Sequence, residues 1–101
     1  MTREFNFTCP LANGVHARPA SALEEVAAAF SAEILLINSR TGRTANAKSV
    51  LSIVGADIRH QDPCKFLITG ADAAEAVTAL TRFIQEELPR CDEAAPAEQP
   101  G

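Results

Sequence analysis

The stretch Asn13-Gly14-Val15-His16-Ala17-Arg18-Pro19-Ala20 decides how the rest of the chain is read. Asn-Gly is a turn signal. A histidine follows, then an arginine and a proline, and from there an apolar pattern with helical spacing begins. Proline is favoured in the first turn of a helix, because its missing N–H would have no intrahelical partner there. His16 is therefore predicted at or just before a helix start, beside main-chain N–H groups and the positive end of the helix dipole. Such a place is an anion site with a nucleophilic imidazole built into it. The simplest chemistry it suggests is a phosphoryl group held covalently on the ring and steadied by the amides and by Arg18.

Downstream, the helical pattern runs from 17 to about 30. Ala20, Leu23, Ala27 and Phe30 share one face, with Val26 close to it and Glu24 and Glu25 outside. Upstream, residues 3–9 alternate, with Phe5, Phe7 and Cys9 pointing one way, as in a strand with one buried face. Residues 10–14 form the loop that delivers His16. A second strand is expected over 32–38, then a polar turn, Asn38-Ser39-Arg40-Thr41-Gly42, and a short edge strand over 43–46. Ser49-Val50-Leu51-Ser52-Ile53-Val54 admits a strand by propensity. A short helix capped by Ser49 and ending near Gly55 is the preferred reading. Residues 56–63 read as a loop, with His60 as a solvated member. Cys64, Phe66 and Ile68 mark a further strand. Gly70-Ala71-Asp72 is a turn with Asp72 as N-cap, and Ala73, Ala76, Val77, Leu80, Ile84 and Leu88 mark a long amphipathic helix stopped by Pro89.

A chain of 101 residues, 47% hydrophobic, suffices for one small domain. Residues 1–89 form that domain. Residues 90–101, rich in Pro, Ala and Glu, read as a tail or interdomain linker. The net charge of −4 argues against nucleic acid as a general partner. Cys9, Cys64 and Cys91 show no CxxC spacing and no accompanying histidine cluster, which argues against zinc. Free thiols, with Cys9 and Cys64 buried as small apolar residues, are expected. The odd count and the lack of a signal peptide point to the cytoplasm. No apolar stretch is long enough to span a membrane. The element order, strand-helix-strand-strand-helix-strand-helix, predicts an α+β domain with helices on one face of a mostly antiparallel sheet.

This order and the His16 segment together resemble HPr, the histidine-containing phosphocarrier of the bacterial phosphoenolpyruvate-dependent sugar phosphotransferase system. The family signature Gly-x-His-x-Arg-Pro-Ala is met at every fixed position by Gly14 to Ala20, and its Ala-Lys-Ser segment by Ala47-Lys48-Ser49. The resemblance covers residues 3–88. It implies an open-faced sandwich, four antiparallel strands with three helices on one face, and it supports the helix after Ser49. It also implies that His16 accepts a phosphoryl group on Nδ1 from enzyme I and passes it to an enzyme IIA domain. Arg18 and the backbone N–H groups of Ala17 and Arg18 would hold the phosphate. The chain would then be a phosphotransferase component with a covalent phosphohistidine, with no metal or cofactor of its own.

A carrier must release what it holds, so the site should be shallow and solvent-open. An apolar patch must dock both partners, and Val50, Leu51 and Val54, next to Ala17, are the candidates. Ser49 has two readings: a helix cap, and the position that a dedicated kinase phosphorylates in some relatives, adding charge at the docking surface. The start of the chain and its tail look more like the HPr-like first domain of a multiphosphoryl transfer protein, fused to an enzyme I domain. The parallel nitrogen-related phosphotransferase branch, and a regulatory HPr-like binding module, are the alternatives. Relatives of the latter kind lose the histidine that this chain keeps. The sequence departs from the family where glycines often follow the Ser-containing helix: Asp57 and Gln61 stand there, outside the His16 motif. Finally, if Ile34 and Leu36 face the core, Leu35 and Ile37 face the other side of the sheet with Leu67, a patch suited to a neighbouring domain or a second copy.

Overall fold

Alternation along the strands sets the architecture. The computed structural model describes residues 2–91. Four strands, β1 (Thr2–Thr8), β2 (Glu33–Asn38), β3 (Thr44–Asn46) and β4 (Pro63–Thr69), form one sheet in the order β1-β4-β2-β3, with every neighbouring pair antiparallel. Three α-helices join them: α1 (Ala17–Ala28), α2 (Val50–Gly55) and α3 (Ala73–Arg82). This is the open-faced α+β arrangement expected from the sequence. Among the described residues, no helix is long and apolar enough to cross a membrane.

On the inner face, Ile34 and Leu36 of β2 meet Cys64, Phe66 and Ile68 of β4, all buried, and the helices cover them with Ala20, Leu23, Ala27, Ile53, Ala76 and Leu80. Phe66 lies at the centre, its ring 5.2 Å from that of Phe5 and 5.3 Å from that of Phe7. On the outer face Leu35 stands opposite Leu67, and Ile37 opposite Lys65, all half-buried. The cluster is therefore real as a surface feature, flanked by the Lys65–Glu4 ion pair at 4.0 Å. The edge strand β3 is short, and only Ala45 of it is buried, which leaves little to pair with another chain.

Several boundaries move for local reasons. The first helix ends at Ala28 rather than near Phe30, because its last turn tightens: the amides of Ala29 and Phe30 donate to the carbonyls of Val26 and Ala27. Lys48 Nζ then donates to the Phe30 carbonyl at 2.6 Å, closing that end with a cation. The last helix is not regular to Leu88. After Arg82 it widens into a π-helical turn, Phe83–Glu87, in which the Leu88 amide donates to the Phe83 carbonyl at 2.8 Å. Phe83 and Leu88 are both buried, and the i→i+5 turn lets both face the core. Pro89 does not end the packed chain: Arg90 and Cys91 are helical, and Cys91 is buried against the core. The remainder of the expected tail, 92–101, lies outside the described residues.

Asp72 also differs from expectation. Its side chain makes no cap bond to its own helix. Its carboxylate accepts instead from the backbone amides of Ser31, at 2.9 Å, and Ala32, at 2.8 Å, forty residues away. Gly70 makes this junction possible: a Cβ there would stand 2.7 Å from the Ala32 Cα. The Ser31 amide, and after it that of Ala32, hold the Asp72 carboxyl below the usual carboxylate range. A carboxyl whose folded pKa is lowered stabilises the fold above its unfolded pKa and stops doing so as pH falls through the folded value. Comparing Asp72→Ala with the unsubstituted chain by chemical denaturation should give a stability difference that is constant from pH 7 down to about 5 and shrinks below about pH 4. A difference that grew on acidification would contradict this junction.

Candidate functional site

The loop that carries His16 is held from below. Gly14 has φ +72°, a left-handed conformation, and a Cβ there would lie 2.3 Å from the Ile58 carbonyl oxygen. The Gly14 amide donates to the Leu11 carbonyl, and the next amide, Val15, donates to the Ile58 carbonyl at 3.0 Å. Leu11, Gly14 and Val15 are buried, so the loop is anchored immediately before the histidine. The segment after α2 therefore does touch the His16 motif, contrary to the sequence reading. Its two unusual residues are explained as well. Asp57 and Gln61 have φ +53° and +67°, the conformation glycine would take without strain.

His16 is the N-cap residue of α1, with extended backbone, and its carbonyl accepts the first helical hydrogen bond from Ala20 at 3.0 Å. Its side chain does not cap the helix, and the residue is half-buried rather than in the core. Ala17 and Arg18 occupy the first two helical positions and Pro19 the third. A helix supplies no acceptors to its first amides, and proline removes one of the donors. The N–H groups of Ala17 and Arg18 thus form the N-terminal edge of α1, where the helix dipole favours negative charge.

Arg18 is half-buried. It lines a shallow depression of about 330 Å³ with Ala22, Glu87, Arg90 and Cys91. The π-helical turn after α3 thus contributes Glu87 to the surroundings of Arg18, a neighbourhood the sequence did not signal, because it depends on the widened turn.

Helix α2 packs on α1. The Ser49 hydroxyl caps it by accepting from the Ser52 amide at 3.2 Å, as expected. Leu51 is 85% exposed and Val54 40% exposed. Val50 is different from its two companions: it is half-buried and packs against the core. The outward apolar surface of this helix is Leu51 and Val54. His60 is exposed, yet its Nδ1 lies 3.2 Å from the Leu11 carbonyl, so it too meets the loop before His16. The three cysteines are buried and not joined by disulfides. Burial, with Cys9 and Asp62 nearby, pushes the Cys64 thiol up to about 12, which leaves it without nucleophilic character near neutral pH.

A sequence model described as the PTS HPr component phosphorylation site matches residues 3–86. Multiphosphoryl transfer protein 2 of Escherichia coli K12 is 48% identical over 86 residues, which is 85% of this chain and 10% of that protein. Phosphocarrier protein HPr of Mycoplasma genitalium is 36% identical over 73 residues, 72% of this chain and 82% of that one. The crystal structure of a phosphocarrier protein HPr from Bacillus anthracis superposes with a TM-score of 0.73 at 32% identity, covering 83% of this chain and 98% of its own. The chain therefore spans about a tenth of the multiphosphoryl transfer relative.

Replacing Gly14 by alanine should lower folding stability by at least ~1 kcal/mol, from the left-handed backbone alone, and break the hydrogen bond between Val15 and Ile58. Denaturation midpoints and the chemical shift of the Val15 amide would read both effects. An unchanged midpoint with an unchanged shift would mean that the close approach at Gly14 constrains nothing.

Proposed function

The chain belongs to the HPr family of phosphotransferase-system phosphocarriers, and on that premise we propose that it takes a phosphoryl group from enzyme I onto His16 and delivers it to an enzyme IIA domain. What supports the reading above all is the N-cap position of His16, half-exposed over the first amides of α1. A ring nitrogen attacks the phosphorus of the phosphorylated donor. A new P–N bond forms as the bond to the donor breaks, and the donor's leaving group keeps the bonding electron pair. The trigonal PO3 unit in passage spreads negative charge over three oxygens. The amides of Ala17 and Arg18 and the Arg18 guanidinium are the groups suited to meet that charge.

Leaving is as important as arriving. A phosphate sealed in a dry pocket would be too tightly held to move on. The half-exposed ring and the open depression beside Arg18 suit a carrier. Leu51 and Val54 supply the apolar surface on which each partner would dock in turn. In this reading Ser49 is first a helix cap, and a phosphate there would place charge on the docking helix. The likeness to the multiphosphoryl transfer proteins supports placement of this domain in a longer phosphoryl-transfer chain, acting in the cytoplasm.

Incubation with enzyme I and phosphoenolpyruvate should give an acid-labile label on the chain that His16→Ala abolishes; label retained on that variant would refute the assignment. Leu51→Glu should weaken enzyme I binding about fivefold or more while leaving the fold intact. Unchanged affinity in a calorimetric titration would remove α2 as the docking surface.

A further inference from the structure

Beneath the His16 loop lies a polar cluster for which the phosphocarrier reading gives no role. Asp62 is only 5% exposed. One carboxylate oxygen accepts from Arg40 Nε at 2.8 Å. The other accepts from the Arg59 amide at 2.8 Å and from Asn38 Nδ2 at 3.3 Å. Asn38, fully buried at the end of β2, also has its Nδ2 within 3.0 Å of the Ala56 carbonyl and 3.2 Å of the Asp57 carbonyl. Arg40 donates a further bond to the Asp57 carbonyl at 3.2 Å. The turn after β2 thus grips the 56–62 loop at both ends, and Asp62 is where three donors converge. Within that loop Asp57 and Gln61 are held in left-handed conformations, which persist only where the surroundings over-determine them.

The other side of the same loop faces the segment that presents His16. The Asp62 carbonyl accepts from the Cys9 amide at 3.0 Å, and the Gln61 amide donates to the Cys9 carbonyl at 2.8 Å. The His60 ring touches the Leu11 carbonyl, and the Ile58 carbonyl takes the Val15 amide. Contacts therefore run along the delivering loop from Cys9 to the residue next to His16. We propose that Asp62 is a positioning residue for phosphoryl transfer: by locking the 57–62 loop, it sets where His16 stands relative to the N-terminus of α1. This rests on the reading of His16 as the phosphoryl acceptor. The Arg40 guanidinium, followed by the other donors, holds the Asp62 carboxyl below the usual carboxylate range, as a carboxylate kept ionised by its partners should be. The negative charge matters as well as the shape. A side chain with no oxygen there takes away the acceptor of Arg40 Nε and of the Arg59 amide, while Asn38 keeps the Ala56 and Asp57 carbonyls.

The test compares the unsubstituted chain with Asp62→Ala, Asp62→Asn and Arg40→Ala. Two readouts are taken on each: the rate of phosphorylation by enzyme I and phosphoenolpyruvate, as kcat and KM for the chain, and amide hydrogen exchange at Val15, Leu36 and Phe66. For Asp62→Ala, kcat should fall about tenfold or more while KM for the chain stays within about twofold, because the docking helix is untouched. The Val15 amide should lose protection while the sheet amides of Leu36 and Phe66 keep theirs. Asp62→Asn should fall between the two, since one acceptor oxygen remains.

Full kcat in folded Asp62→Ala would overturn the proposal. So would unchanged protection at Val15, or a loss at Leu36 and Phe66 equal to that at Val15, which would mark a merely structural role. Should Asp62→Ala fail to fold, Arg40→Ala decides by the same two readouts. Should the unsubstituted chain take no label, the acceptor reading of His16 fails instead. Val15 exchange alone then upholds or overturns the hold of Asp62 on the loop.

Discussion

The Ile58 carbonyl sits where a side chain at position 14 would have to be. That single close approach, 2.3 Å from a Cβ that does not exist, forces glycine and the left-handed turn at once. From the turn the chain can rise only in one direction, and the Val15 amide reaches the same carbonyl. The helix then starts at Ala17 with His16 as its cap. A one-residue shift would place the imidazole inside the first turn, away from the amide edge, and would bury or expose the wrong face of α1. The geometry of the site is thus set by backbone contact below the histidine rather than by any bond made by its ring.

Local features were legible in the chain, and non-local ones were not. Alternation gave away the faces of β2 and β4, where Ile34, Leu36, Cys64, Phe66 and Ile68 are all buried, and of β1, where Phe5 and Phe7 pack half-buried against the core. The Ser49 cap was readable because its partner, Ser52, is three residues away. Asp72 misled for the opposite reason. It stands where a cap belongs, but two amides forty residues distant compete for its carboxylate and win. The widened turn after Arg82 was invisible because Phe83, Ile84 and Leu88 fit a regular helix nearly as well, and only packing against the finished core chooses between them. Val50 was grouped with Leu51 and Val54 by hydrophobicity. Its place on the helix turns it toward the core.

The candidate site divides in the same way. The place of the His16 motif at the start of α1 was readable from sequence because it is set within one turn of helix. The 57–62 loop could not be joined to them, since nothing in its composition predicts a partner near residue 9 or residue 15. Asp57 and Gln61 looked like a departure without consequence. In the folded chain they occupy the backbone conformations that glycine takes freely, each at a cost of roughly 1–2 kcal/mol. Strain of that size in a small domain persists only when other bonds hold it, and the carbonyls of Ala56 and Asp57 are held by Asn38 and Arg40.

A carrier faces two demands that pull against each other. Its acceptor atom must be placed tightly enough for in-line attack, yet the bound phosphate must stay loosely enough attached to leave. Clamping the imidazole itself would meet the first demand and defeat the second. In this chain the rigidity lies in the main chain under His16, in a buried glycine, amide-to-carbonyl bonds and an ion-paired carboxylate. On the proposed assignment, a phosphate on the half-buried His16 ring would stand at a surface open enough for it to leave. On the proposed assignment precision would come from beneath and lability from above, from different residues that substitution can alter separately.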